Sequence, residues 1–115
     1  MTIYIVDDNH DLVEFIGCVL EEIGYTVHTF THPEDALSHL KESHVQSGTL
    51  ITDYNLPAMN GYQLHQNIHA IAPDVKTIVI SGRNVSGDIK KLPFLQKPFS
   101  PVELIQLVRE AQEAP

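Results

Sequence analysis

The sequence predicts an α/β domain with a doubly wound, five-stranded parallel sheet and helices on both faces. Short apolar runs alternate with segments of helical spacing along the chain, and charged residues directly follow three of these runs. Strict alternation of strands and helices is typical of parallel sheets with right-handed crossovers. A length of 115 residues fits one domain, and a hydrophobic content of 43% is sufficient for one core.

Five short segments have the composition of strands. They are apolar and rich in β-branched residues, or they alternate in polarity. The fourth segment is the most uniformly apolar, as expected for a strand buried on both sides. The predicted strands are residues 2–6, 25–30, 49–53, 75–80 and 94–96.

The first two helices are predicted from apolar spacing and end signals. The first covers residues 11–24, with a glycine as its stop. Cys18 falls within its apolar pattern, so we predict a small core residue there. The second extends to about Lys41, and Thr31-x-x-Glu34 at its start resembles a capping box.

Two further helices follow the third and fifth strands. Leu64, Ile68 and Ile71 form one apolar face, and Pro73 ends that helix. Ser100 is the predicted N-cap of the last helix and precedes a proline at the first helical position.

A shortened fourth helix is predicted between the fourth and fifth strands. Val85, Ile89 and Leu92 have helical spacing, but Gly87 interrupts them. We therefore expect one or two turns at most.

Charged residues follow the first, third and fifth strands. Asp7 and Asp8 follow the first, Asp53 the third and Lys97 the fifth. If the strands are parallel neighbours, their carboxyl ends meet at one edge, where such sheets bind ligands. Three carboxylates and one ammonium in one crevice suit a divalent cation and a phosphoryl group.

These positions belong to an ordered series of motifs. The series is Asp7-Asp8, Asp53-x-x-Leu56-Pro57-x-Met59-Asn60-Gly61, Ser81-Gly82 and Lys97-Pro98-Phe99. Together, at strand ends, they resemble the receiver domain of two-component response regulators over essentially the whole chain. The resemblance implies a flavodoxin-like strand order of 2-1-3-4-5 and a receiver domain at residues 1–115. It leaves the isomer of the Lys97-Pro98 bond open.

The resemblance also implies a phosphoacceptor and a metal site. Asp53 would be the nucleophile that becomes an aspartyl phosphate. Asp8 and Asp53 would bind Mg²⁺ (or Mn²⁺) directly, together with the backbone carbonyl of Asn55, and Asp7 would act through water.

Three further residues receive roles by resemblance. Lys97 would stabilise the charge of the phosphoryl group, and Ser81 would offer it a hydroxyl. Ser81 and Phe94 would form the switch, with Ser81 moving toward the phosphoryl oxygen and Phe94 turning inward. Plain core packing is an equally weighted role for Phe94.

The predicted function is a phosphoacceptor in a two-component phosphorelay. The donor would be a histidine kinase or a histidine phosphotransfer protein, and phosphorylation would change the binding of a downstream protein partner. Such a domain catalyses its own phosphorylation and slow dephosphorylation and is not a conventional enzyme. A phosphorylation-independent adaptor is the main alternative. An aspartate-nucleophile phosphatase is disfavoured, because Asn55 stands where such hydrolases usually have a second acid.

Composition excludes several other classes of protein. A net charge of −8, with only 7 Lys and Arg residues, argues against direct nucleic-acid or membrane binding. No apolar run approaches a membrane span, and the N-terminus enters a strand at once, so a cytoplasmic protein is predicted. The oligomeric state stays open, as does the question whether the chain is stand-alone or part of a longer protein.

The seven histidines are predicted to be surface residues. His65 and His69 have the i, i+4 spacing of metal ligands, but no third ligand is evident, so a solvated helix face is favoured. The others lack ligand spacing: His10, His28, His32, His39 and His44.

Overall fold

A computed structural model describes residues 1–113 of the chain, so the last two residues of the predicted domain lie outside the described part. The strands are β1 (Thr2–Val6), β2 (Thr26–Phe30), β3 (Ser47–Asp53), β4 (Asp74–Ser81) and β5 (Phe94–Gln96). The α-helices are α1 (His10–Glu22), α2 (Pro33–Glu42), α3 (Gly61–Ile71) and α4 (Pro101–Glu113).

The five strands form one parallel sheet with the order β2-β1-β3-β4-β5. The predicted fold class and strand order are confirmed. In this register Val6 lies opposite Thr52, and Asp53 lies opposite Ile80. The carboxyl ends of β1, β3 and β4 are therefore level with one another.

Alternate residues of β1 face two separate apolar layers. Ile3 and Ile5 pack in the layer that holds α1 and α4, whereas Tyr4 and Val6 pack in the layer that holds α2 and α3. Burial of each such aliphatic side chain stabilises the fold by about 1.5–3 kcal/mol. The sheet is therefore held rigidly from both sides, which fixes the positions of its strand ends.

The connection between β4 and β5 contains one 3-10 turn, at Ser86–Asp88, where a shortened helix was predicted. Val85 and Ile89 flank this turn and are wholly buried against Val79 of β4. Phe94 packs at the edge of the same small cluster. No α-helix forms among residues 82–93, between β4 and β5, so the helix predicted after the fifth strand is α4 of the structure.

Two predictions about the helices were wrong. The N-cap of α2 is His32 and makes no side-chain capping bond, so the predicted Thr31 capping box does not form. Cys18 is exposed, because the buried stripe of α1 passes through Gly17 instead. A Cβ atom at Gly17 would lie 3.5 Å from Val27, so the helix sits close to β2 at this point.

The histidines divide into two groups. His10, His32, His44 and His69 are exposed, as predicted. The prediction was wrong for the others, which are partly buried and contact other side chains: His28, His39 and His65.

No helix among residues 1–113 combines the length and apolar character that crossing a membrane requires.

Candidate functional site

Four of the predicted site residues lie at the carboxyl edge of the sheet. Asp7 and Lys97 directly follow β1 and β5, and Asp53 and Ser81 are the last residues of β3 and β4. Since all these strands are parallel, their ends face the same side of the domain. The sheet itself brings together residues that are up to 90 positions apart in the sequence.

Asp7 and Lys97 form the innermost ion pair of this edge. Asp7 is wholly buried, and its Oδ2 atom accepts a 2.9 Å hydrogen bond from Nζ of Lys97. Its Oδ1 atom accepts a second bond of 2.9 Å from the backbone N–H of Asn9. Both carboxylate oxygens thus have donors, as a buried charge requires.

Asp53 lies on the other side of the same ammonium group. Its Oδ2 atom is 3.4 Å from Nζ of Lys97, and its Oδ1 atom accepts a bond of 3.4 Å from the N–H of Asn55. Both distances are longer than those at Asp7, although Asp53 is also buried, with 6% of its surface exposed. The Asp53 charge is therefore the less well compensated of the two.

The surroundings raise the pKa of both Asp53 and Lys97, which disfavours the charged form of the acid and favours the charged form of the base. Burial, and then the charge of Asp7, raise the pKa of Asp53, against the opposing effects of Lys97 and the Asn55 N–H. Burial alone would lower the pKa of Lys97, but the hydrogen bond and charge of Asp7, followed by Asp53, raise it overall. Lys97 is therefore firmly cationic at neutral pH, whereas the ionised form of Asp53 is disfavoured.

The carboxylates fit a divalent cation. Carboxylate oxygens of Asp7, Asp8 and Asp53 lie within 4.8 Å of one another, and Asp8 is the exposed member of the group. Three carboxylates against one ammonium leave excess negative charge, which a divalent cation would offset. An all-oxygen donor set suits Mg²⁺ or Mn²⁺.

Ser81 is wholly buried and is bonded to the neighbouring segments. Its Oγ atom accepts a 3.3 Å bond from the N–H of Arg83, and its carbonyl accepts a 2.8 Å bond from the N–H of Lys97. The guanidinium of Arg83 lies over the ring of Tyr54, 5.5 Å from its centroid. The Tyr54–Arg83 contact was not predicted, because nothing in the spacing of the two residues indicates it.

Phe94 has the packing role in this structure. It is partly buried in the cluster that contains Val79, Val85 and Ile89. The turned-in position that the switch role requires is a different arrangement, so that role stays a prediction.

The loop after β3 is held against the site by a glycine. Gly61 begins α3, and its N–H donates a 2.7 Å bond to the carbonyl of Tyr54. A Cβ atom at Gly61 would lie 3.1 Å from the carbonyl carbon of Asp53. Asn60 and Gln63 cap the helix reciprocally, and this capping box was missed by the sequence analysis.

An apolar groove of about 430 Å³ opens beside Lys97. Phe15 of α1 is 44% exposed and forms one of its walls. The Lys97-Pro98 bond is cis in this structure. The sequence analysis missed the groove, although Phe15 is an aromatic residue outside the core stripe of α1. The groove is lined by Asn9, Leu12, Phe15, Lys97, Pro98 and Phe99.

Comparisons with known proteins identify the family of this chain. Residues 3–109 match the family model described as the response regulator receiver domain. The chain is 31% identical, over 97% of its length, to the C4-dicarboxylate transport transcriptional regulatory protein DctD of Rhizobium meliloti (strain 1021). It is 36% identical, over 95% of its length, to the transcriptional regulatory protein CssR of Bacillus subtilis (strain 168).

These curated relatives are longer proteins. The chain spans 25% of DctD and 50% of CssR. Among solved structures, a response regulator receiver protein from Sinorhizobium medicae WSM419 has a TM-score of 0.87 and 25% identity. That alignment covers 99% of this chain and 95% of the other. The chain belongs to the response regulator receiver domain family of two-component systems.

Proposed function

We propose that this chain is a single receiver domain, residues 1–115, whose Asp53 accepts a phosphoryl group and so switches the binding of a downstream protein. The observation that supports this most directly is the position of Lys97, between Asp7 at 2.9 Å and Asp53 at 3.4 Å. A buried acid that shares a cation at a sheet edge is suited to hold a dianionic phosphoryl group.

The transfer step follows from the chemistry of the carboxylate. An oxygen of Asp53 bonds to phosphorus while the P–N bond of a phosphohistidine breaks, and the leaving imidazole nitrogen takes up a proton. The Lys97 ammonium then neutralises part of the charge on the phosphoryl oxygens. The hydroxyl of Ser81 would donate its proton to the same group, while its oxygen continues to accept from the Arg83 N–H.

A bound divalent cation would supply positive charge that offsets the repulsion between the carboxylates and the phosphoryl oxygens. Asp8 and Asp53 would hold Mg²⁺ or Mn²⁺ directly, with the backbone carbonyl of Asn55 as a third protein ligand. Asp7 would contact it through water, since the two 2.9 Å hydrogen bonds that the Asp7 carboxylate accepts are shorter than the 3.4 Å contacts of Asp53.

The switch would start at Ser81 and end at Phe94. Movement of the Ser81 hydroxyl toward a phosphoryl oxygen would shift residues 82–93, which are bonded to it through the Arg83 N–H. Phe94 would then leave its present position against Val79 and turn inward. The surface presented by residues 82–93 would change, and this surface is what a downstream partner would detect.

The phosphodonor would be a histidine kinase or a histidine phosphotransfer protein. Receiver domains interact with histidine kinases and with downstream effectors. The groove beside Lys97 is apolar, is partly formed by the exposed Phe15, and lies next to the proposed acceptor. It is therefore our proposed contact surface for the donor.

Intact-protein mass spectrometry after incubation with acetyl phosphate and Mg²⁺ tests the proposal. The wild type should gain one labile phosphoryl group, and Asp53→Asn should gain none. Asp88→Asn is the matched control, because Asp88 is an exposed aspartate in the turn between β4 and β5. A gain that persists in Asp53→Asn would contradict the assignment of the acceptor.

A phosphorylation-independent adaptor remains the second candidate function. The observation that favours it is the single 3-10 turn at Ser86–Asp88, which alters the segment that the switch would move. If partner binding by Asp53→Ala equals that of the wild type, and acetyl phosphate changes neither, the adaptor is supported instead.

A further inference from the structure

A cavity of about 220 Å³ lies near the amino end of β4, at the opposite end of that strand from the proposed phosphorylation site, and is lined by residues of both α3 and α4. It opens between α3, the start of β4 and the residues that precede β5, next to the connection that has only one 3-10 turn. Most of its lining residues are apolar. The polar ones are His65, His69, Lys76 and Thr77.

We propose that His65 and His69 form a binding site for a divalent transition-metal ion such as Zn²⁺ or Cu²⁺. The two residues are one helical turn apart on α3, and their ring centroids lie 5.7 Å apart with 33° between the ring planes. A metal–nitrogen distance is about 2.0–2.1 Å, so small side-chain rotations bring one nitrogen of each ring to a shared ion.

Thr77 orients the first of these ligands. The Nδ1 atom of His65 lies 2.7 Å from the Thr77 hydroxyl oxygen. When Nδ1 carries the proton, it donates to this oxygen and leaves the lone pair of Nε2 available for an ion. Metal-binding histidines usually have such a partner on the other ring nitrogen.

Protonation also favours the site. Burial, and then the neighbouring His69, lower the pKa of His65, so its imidazole is neutral at pH 7. Only neutral imidazole binds a metal, so metal binding at His65 would release few protons at this pH.

The surroundings select the type of ion. Lys76 lines the same cavity, and its positive charge weakens the binding of any cation. Ions that bond strongly to nitrogen, such as Cu²⁺ and Zn²⁺, overcome this effect better than Mg²⁺, which prefers oxygen. Among residues 1–113, the only close group of three or more His, Cys, Asp or Glu ligands is Asp7, Asp8 and Asp53, so water would complete the coordination.

Thermal unfolding in excess Mg²⁺ tests the site, because Mg²⁺ would occupy the acidic cluster proposed above and leave the histidines free. Zn²⁺ should raise the Tm of the wild type by ligand linkage and leave the Tm of His69→Gln unchanged. His10→Gln is the matched control, since His10 is also exposed and forms an i, i+4 pair, with Glu14 at 3.0 Å. The control should show the wild-type increase.

NMR of the histidine rings with substoichiometric Cu²⁺ locates the ion independently. We expect selective broadening of the His65 and His69 signals. Broadening of His28 and His39 instead, whose ring centroids are 4.7 Å apart, would overturn the assignment. An equal rise in Tm for His69→Gln, or no broadening of any histidine, would also overturn it.

Discussion

Lys97 donates a 2.9 Å hydrogen bond to the wholly buried Asp7, and this contact is 0.5 Å shorter than its 3.4 Å approach to Asp53. Lys97 therefore compensates the charge of Asp7 more completely than the charge of Asp53, the proposed phosphoacceptor. Asp7 holds the Lys97 ammonium beside Asp53, and the charge of Asp53 is left partly uncompensated. The two aspartates should accordingly respond in opposite ways to substitution.

Asp53→Asn should increase the stability of the metal-free protein at pH 7. The pKa of Asp53 is raised in the folded state, so folding favours its protonated form, and the ionised form destabilises the fold above the unfolded pKa of about 3.9. Asparagine removes that charge and nearly preserves the shape. Urea denaturation with a chelator present measures the change, and a lower midpoint than that of the wild type would contradict it.

Asp7→Ala should have the opposite effect and lower the free energy of unfolding by about 2 kcal/mol. The substitution removes the acceptor of the Lys97 ammonium and of the Asn9 N–H, both of which lose a charge-assisted bond. The same urea experiment gives this value. The exposed Asp88, changed to Ala, is the control and should alter stability by less than about 0.5 kcal/mol.

Gly61→Ala should destabilise the protein by about 2 kcal/mol and also impair the site. The new methyl group would press on the backbone of Asp53 and Tyr54, and overpacking against backbone typically costs about 1–3 kcal/mol. Gly87→Ala is the matched control, because nothing lies within 4 Å of a Cβ atom there. Thermal unfolding of both variants tests this, and equal losses of stability would show that the close approach at Gly61 has no energetic effect.

His65→Gln should reduce the loss of stability that acid causes. The pKa of His65 is lowered in the folded protein, so the unfolded chain binds the proton more tightly. The stability linked to neutral His65 is complete above the unfolded pKa of about 6.5 and is lost as pH falls below it toward the folded value.

Urea midpoints of the wild type and of His65→Gln between pH 5 and 8, with a chelator, measure this effect. The difference between the two proteins should change with pH below about 6.5 and be constant above about 7.5. The curve for His44→Gln, at an exposed position, should run parallel to that of the wild type. Parallel curves for wild type and His65→Gln across the range would refute the linkage.

Phe15→Ala should slow phosphotransfer from a phosphohistidine donor by roughly tenfold, which corresponds to about 1.4 kcal/mol of lost contact energy. Phe15 is exposed beside Lys97, in a groove whose lining does not include the proposed acceptor Asp53. Phosphorylation by acetyl phosphate should therefore be unchanged. Val102→Ala is the control, because Val102 is an exposed apolar residue of α4, outside the groove. Equal slowing with both donors would point to damage at the site itself.

The fold was predictable because each strand and helix has a local signal and a parallel sheet has few arrangements. The alternation of strands and helices predicted a sheet with helices on both faces. The positions of Asp7, Asp53 and Lys97 at strand ends predicted that these residues would lie close together. The strand order came from the family resemblance. The exact distances to Lys97 were not predictable, because they depend on side-chain rotation within a crevice that several strands build.

Predictions failed where tertiary packing overrides a local pattern. Cys18 matched the apolar spacing of α1, but Gly17 allows the closer approach to β2 and so turns the buried stripe away from the cysteine. His65 looked solvated because its partner Thr77 is 12 residues away, on a neighbouring strand. Such contacts depend on which strand lies beside which helix, and the spacing of residues along the sequence does not specify this arrangement.

The single 3-10 turn between β4 and β5 has a consequence for cooperativity. Only Val79, Val85 and Ile89 form the buried part of the cluster beneath this connection, far fewer than in the two main layers. Regions with few buried apolar contacts open at a lower free energy than the rest of the fold. Residues 82–93 should thus behave as a separate, weakly held unit with fast amide exchange, and a signal from Ser81 would need little energy to reorganise them.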